Sequence, residues 1–259
     1  MPFEKLFSAL SLPHKDEIKV ASERDRYGTI FVVDKRNYRI MRFDSIFEQT
    51  KMNRNHPEVP VHNYIKGMLM SVALEKPRSV LVLGLGGGSL VRGLHAYDNE
   101  ISIDVVELRK KVINIARKYF FIPEVNNISY FAQDAGAFMR KNKTQYSHIF
   151  SDLYSAEDMV SLQKMGDFIK NCAASLTPDG WLIMNYHISP IHSPSLLEVF
   201  SSYFKTLLYC TTPSGNVVIY ATQSAKVAET EKLRKKCRSV SPSSLYDFKL
   251  LSTKLSRWV

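Results

Sequence analysis

Between Ser79 and Tyr97 the chain reads SVLVLGLGGGSLVRGLHAY: an unbroken apolar run, a cluster of glycines, then a helical pattern. No other segment constrains the fold as much. An apolar run without polar alternation is what a strand buried on both faces requires, and such strands belong to parallel sheets with helices on either side. The same strand–helix unit then recurs. ISIDVVE at 101–107 reads as the second strand and 110–120 as the second helix. A short third strand at 128–131 precedes a helix from about Asp134. SHIFSD at 147–152 is the fourth strand, followed by a long helix from about Asp158 to Leu176. TPDG at 177–180 reads as a turn into a fifth strand, WLIMNY at 181–186, with a further helix near 194–204. KTLLYC and NVVIYAT flank TTPSG, a connector too short for a parallel crossover, so these two strands must pair antiparallel. The expected fold class is α/β: a doubly wound, Rossmann-like, seven-stranded sheet ending in an antiparallel hairpin.

Upstream of this unit the pattern differs. Residues 26–48 alternate apolar and polar positions around DKRN and read as a β-hairpin, while residues 1–20 look like a loosely ordered or edge segment. TKMNRNHPEVP precedes a helical pattern from about Val61 to Leu74, closed by Pro77. The expected division is a small N-terminal β-domain over 1–50, a linker and helix over 51–77, the sheet domain over 78–224, and a basic helical tail over 225–259 that packs on it. The net charge of +10 is partly concentrated in KLRKKCR at 232–238. Without interleaved aromatics that run reads as a solvated helix face, so nucleic acid is not an expected partner. Three separated cysteines, Cys172, Cys210 and Cys237, form no CxxC pair and suggest neither a disulfide framework nor a zinc site. No apolar run approaches the roughly 18–20 residues of a membrane span, and the first twenty residues lack a signal-peptide core. A cytoplasmic protein without metal or membrane partner is expected.

Four elements carry candidate chemistry. Gly84, Gly86, Gly87 and Gly88 follow a buried strand and open a helix, where glycine lets the chain turn sharply and a nucleoside approach the backbone. Glu107 closes the second strand 23 residues after Gly84, where an acid can accept hydrogen bonds from both ribose hydroxyls. Asp134, in FAQDAGAFM, suits a helix N-cap, a role compatible with a ligand contact; Leu108 and Ala135, which follow the two acids, join the candidate set. Asp152 ends the fourth strand and should face the same crevice, where it could offset a sulfonium charge, take a proton from an attacking amine, or cap the next helix. Asp104, mid-strand in an apolar run, is expected to be structural, with N–H groups of the glycine loop as partners. The seven histidines are scattered without HxxxH spacing, and no GxSxG elbow follows a strand.

Taken together, GLGGGSL, IDVVE, QDA at 133–135, the strand ending at Asp152, and Gln49-Thr50-Lys51-Met52 with Tyr64 (a QSxM…Y pattern) resemble the spermidine synthase family, most closely its bacterial spermidine-synthase-like branch. The resemblance runs from about Tyr27 to Thr222, with the hairpin from Tyr27 to Phe43 similar to the family's small N-terminal β-domain. It implies a class I methyltransferase-type sheet that holds S-adenosylmethionine or its decarboxylated form through Gln49, the glycine loop, Glu107, Leu108, Asp134 and Ala135. It further implies Asp152 as catalytic base, Tyr64 and Tyr154 toward a small-molecule amine, and a homodimer.

The departures bear on the reaction. Gly87 stands where aminopropyltransferases carry a loop aspartate, and HPEVPVHNY replaces the DExxYHE segment with its paired acids. The strand-four DxxD motif reads Asp152-Leu153-Tyr154-Ser155, keeping only its first acid, with Glu157 and Asp158 at a different spacing. Three readings follow: aminopropyl transfer to a small amine, S-adenosylmethionine-dependent methyl transfer on the same scaffold, and non-catalytic nucleoside binding.

Overall fold

The computed structural model describes residues 16–44, 48–153, 166–240 and 247–258. Its larger sheet has eight strands in the order β12-β10-β11-β9-β8-β5-β6-β7. The parallel part comprises β5 (Ser79–Leu83), β6 (Ser102–Glu107), β7 (Ile128–Ala132), β8 (Tyr146–Ser151) and β9 (Leu176–Tyr186). The antiparallel part comprises β10 (Thr206–Thr211), β11 (Val217–Thr222) and β12 (Leu255–Arg257). The helices are α1 (Asn63–Leu69), which runs on into a 3-10 turn over Met70–Ala73, α2 (Ser89–Tyr97), α3 (Lys110–Phe120), α4 (Ala135–Lys141), α5 (Gly166–Ala174), α6 (Pro194–Ser201), α7 (Thr230–Val240) and α8 (Lys249–Thr253).

The strand alternation of β5 divides the core into two layers. Val80 and Val82 pack with Val91 and Leu94 of α2 and with Leu233 and Cys237 of α7. Leu81 and Leu83 point to the other face, among Phe168 and Ile169 of α5 and Phe200 of α6. Because β6 and β7 extend to one side of β5, and β8 and β9 to the other, the strand order reverses between β5 and β8. At such a reversal the loops leaving the carboxyl ends part company and leave a crevice.

The N-terminal region forms a second, antiparallel sheet, β1-β2-β3-β4, built from Ile18–Asp25, Gly28–Lys35, Tyr38–Phe43 and Glu48–Asn53. Ile30, Val32, Met41 and Met52 from this sheet bury against Val112, Ile115 and Phe120 of α3. Helix α3 serves both cores, since Ile113 and Ala116 on its other side join the main one. That double burial seats the small sheet over the crevice.

Several expectations are corrected here. The hairpin is part of a four-stranded sheet whose last strand is Glu48–Asn53. The sheet expected to have seven strands has eight, because Leu255–Arg257 of the tail pairs with β10. The TPDG segment lies inside β9, where the register with β8 shifts between Tyr146 and His148. The first part of the long helix expected from about Asp158 lies outside the described residues; its described part is α5, Gly166–Ala174. All three cysteines are free and buried. Among the described residues no helix is long and apolar enough to cross a membrane.

Candidate active site

A cavity of about 370 Å³ opens at the carboxyl ends of β5, β6 and β8, roofed by Tyr27, Phe43 and Gln49 of the small sheet. Gly84, Gly86, Glu107, Leu108, Asp134, Ala135, Tyr64 and Asp152 line it, so the structure gathers nearly all the candidates, which are dispersed along the sequence, into one place. Tyr154, with Glu157 and Asp158, lies outside the described residues.

The glycine loop divides its labour. Gly84 has φ of +91° and lies so near β8 that a Cβ there would stand 2.3 Å from the main-chain oxygen of Asp152. Gly86, with φ of +52°, faces open space within the cavity. Gly87 and Gly88, expected among the nucleoside-binding residues, do not line it. A Cβ on Gly87 would meet Thr50 Cγ2 at 2.4 Å, and one on Gly88 would meet Ile122 Cγ2 at 2.2 Å. A side chain at either position would collide with the packing beneath the loop. Arg92, 5% exposed, reinforces that packing by donating to the carbonyls of Pro57 (2.7 Å), Phe120 (2.6 Å) and Gly87. Burial lowers its pKa to about 10.

Glu107 is anchored by main-chain donors. Its Oε2 accepts from Leu85 N at 3.0 Å and its Oε1 from Arg109 N at 2.9 Å, with Gly86 N adding a further hydrogen bond. Burial pushes its carboxyl above the ordinary value against the pull of these three donors. Asp134 is the N-cap of α4, its Oδ1 accepting from Ala137 N at 2.8 Å while the residue lines the cavity. Asp104 is tied elsewhere: it accepts from the Tyr146 hydroxyl at 2.8 Å, and not from the glycine loop as expected.

Asp152 stands at the opposite end. Asn185 Nδ2 donates to its Oδ1 at 2.9 Å and the Tyr64 phenol donates a second hydrogen bond. Burial raises its pKa to about 6, outweighing both donors. A carboxyl there is ionised near neutrality yet basic enough to receive a proton, the balance general-base chemistry needs.

Two contributors escaped the reading of the sequence. Asn185 is the polar interruption in WLIMNY, a signal visible in retrospect. Arg109 lines the cavity but is committed to Asp25, with Nε 3.0 Å from Oδ2 and Nη2 2.8 Å from Oδ1, and its guanidinium lies 4.5 Å from the centre of the Phe43 ring. Among the described residues the cavity lining therefore sets three acids, Glu107, Asp134 and Asp152, against one cation that is already paired.

Residues 58–236 match the family described as the Spermine/spermidine synthase domain. The chain belongs to this family. A curated relative from Neisseria meningitidis serogroup A, named polyamine aminopropyltransferase, is 26% identical over 230 residues, covering 86% of this chain and 87% of its own length. The fold is shared with a probable spermidine synthase from Corynebacterium glutamicum, with TM-score 0.70 and 14% identity over 83% of this chain and 86% of that one. A spermidine synthase in complex with the transition-state analogue AdoDATO superposes with TM-score 0.68 and 18% identity, over 91% of this chain and 84% of that chain.

Proposed function

We propose that this member of the spermidine synthase family transfers an aminopropyl group from decarboxylated S-adenosylmethionine to a small amine, with Asp152 as the base. The observation that carries this reading is the charge of the cavity: among the described residues its acids outnumber its cations, and Arg109 is held by Asp25. A donor that keeps its methionyl carboxylate would need a cationic or N–H partner there, whereas the decarboxylated donor brings only positive charge into an acidic site.

The residues fit the donor on geometry of their own. Gly86 leaves open space above the loop, and Glu107 retains acceptor capacity beyond its backbone hydrogen bonds for two ribose hydroxyls. Gln49, Leu108, Asp134 and Ala135 complete the nucleoside end, and Tyr64 lies beside Asp152 toward the amine. When bound, the donor supplies an electrophilic carbon on a cationic sulfur. Asp152 accepts a proton from the acceptor's ammonium, which at a pKa of about 10 is otherwise not nucleophilic. The amine nitrogen then bonds to the propyl carbon as the carbon–sulfur bond breaks, and its electron pair neutralises the sulfur to a thioether. The relatives' names and the analogue-bound structure support the same class of reaction.

Methyl transfer is the second reading, favoured by Gly87, which leaves the loop without the acid that aminopropyltransferases carry there. Incubating the chain with the decarboxylated donor and a panel of mono- and diamines tests the first reading. Release of methylthioadenosine dependent on an amine supports it. Release of S-adenosylhomocysteine from the carboxylated donor, with none of the first product, contradicts it.

A further inference from the structure

Behind Asp152 a line of side-chain hydrogen bonds runs from the cavity toward the turn between β10 and β11. Asn185 Nδ2 donates to Asp152 Oδ1 at 2.9 Å, Asn216 Nδ2 lies 3.1 Å from Asn185 Oδ1, and the Ser214 hydroxyl lies 3.1 Å from Asn216 Oδ1. Asn185 and Asn216 are 0% and 5% exposed, and neither lines the cavity.

The directions along this line are coupled from one end to the other. An ionised carboxylate only accepts, so Asn185 must turn its NH2 toward it. That leaves the Asn185 carbonyl oxygen facing Asn216, which must then present its own NH2 and leave its Oδ1 to the serine hydroxyl. Each amide fixes the orientation of the next. Were Asn185 reversed, its carbonyl oxygen would face Asp152, an arrangement tolerated only when Asp152 holds a proton.

Resting on the reading of Asp152 as base, we propose that Asn216 is a positioning residue: by donating to the Asn185 carbonyl it keeps the Asn185 N–H on Asp152 and so keeps that carboxyl ionised where the base must work. Asn216 acts through Asn185 and touches no reacting atom. Among the described residues the groups facing Asp152 are the Tyr64 phenol from α1 and Asn185 from β9, with Glu107 and Asp134 also lining the cavity; His187 Nδ1 lies 3.4 Å from Asn216 Nδ2.

Asn216→Asp is the informative variant. A carboxylate at 216 accepts only, so it draws the Asn185 NH2 toward itself and turns the Asn185 carbonyl onto Asp152. Its added charge also raises the Asp152 midpoint directly, so the effect is read as a cycle with Asn185→Leu, in which only the charge remains. The measurement is carboxyl carbon NMR on the full chain labelled at aspartate, with the Asp152 signal identified by its loss in Asp152→Asn. The parent midpoint is expected at about 6. The shift caused by Asn216→Asp should be larger with Asn185 present than with Asn185→Leu, by about one pH unit. Equal shifts in the two backgrounds overturn the proposal. Asn216→Leu, which adds no charge, provides a second arm should the aspartate variant not fold: an upward shift supports the relay and an unmoved midpoint overturns it. Turnover separates this inference from the reading beneath it. If the NMR midpoint moves as expected but the acidic limb of kcat does not follow, Asp152 is not the base, although Asn216 still orients Asn185.

Discussion

The two ends of the cavity hold their carboxylates by different means. At the glycine-loop end Glu107 is fixed by N–H groups of Leu85, Gly86 and Arg109, all of them main chain. At the β8 end Asp152 is fixed by the side chains of Asn185 and Tyr64, drawn from β9 and α1. Main-chain donors come with any sequence that folds as strand, glycine turn and helix, so the first arrangement survives extensive substitution. Side-chain donors depend on particular residues far apart in the chain. The end that would receive a nucleoside common to many enzymes is thus built from backbone, and the end that would set the reaction is built from replaceable parts.

The largest expected effect tests whether the two ends are functionally separate. Asp152→Asn should lower kcat by about 10²- to 10⁴-fold, the range for loss of a general base, while calorimetric affinity for the donor stays within about twofold. A comparable loss of affinity would merge the ends into one binding site. In the parent enzyme kcat should rise with pH through about 6 as Asp152 loses its proton, and that limb should vanish in the variant. Stability carries the opposite sign. The fold raises this carboxyl from its ordinary 3.8 to about 6, favouring the protonated form, so its stabilising contribution is complete below 3.8 and is lost as pH rises through 6. At pH 7.5 the ionised group costs up to about 3 kcal/mol. Asp152→Asn should therefore raise the melting temperature at pH 7.5 and leave it nearly unchanged at pH 3.5; a lower melting temperature at pH 7.5 would show that burial does not strain this carboxyl.

Glu107→Ala addresses the other end. Loss of charge-assisted hydrogen bonds to two hydroxyls should weaken donor binding by about 10- to 100-fold in calorimetry without acceptor. Three main-chain N–H groups also lose their acceptor, so the melting temperature should fall, opposite to the effect at Asp152. Unchanged affinity would remove Glu107 from the nucleoside site.

The smallest effect concerns the floor of the loop. Gly87→Ala places a methyl group 2.4 Å from Thr50 Cγ2 and should cost about 1–3 kcal/mol in denaturant unfolding. Combining it with Thr50→Ala should recover most of that loss. Additive losses would show that Phe120, 3.0 Å away, and not Thr50, sets the limit.

The same contrast explains what the sequence makes legible. The unbroken apolar run of β5, the turn after it and the acid ending β6 are local features, and the crevice they form follows from chain order. By contrast β1 is largely exposed and exists by pairing with β2, so IKVASERD shows no buried face to read. β12 is three residues long and is defined only by its register against β10. Gly86 and Gly87 are indistinguishable as letters; one faces the cavity and the other faces Thr50, a residue from a different sheet. Arg109 gives no sign that its partner is Asp25, 84 residues earlier. Asn185 reads as an exception in an apolar strand until Asp152 is placed beside it.

Calorimetry with the carboxylated and decarboxylated donors, side by side on the unmodified chain, tests most directly whether the cavity is built for a donor without a methionyl carboxylate. The charge pattern around Asp152 predicts at least about tenfold tighter binding of the decarboxylated form, equivalent to roughly 1.4 kcal/mol. Equal affinity, or preference for the carboxylated form, would contradict the account.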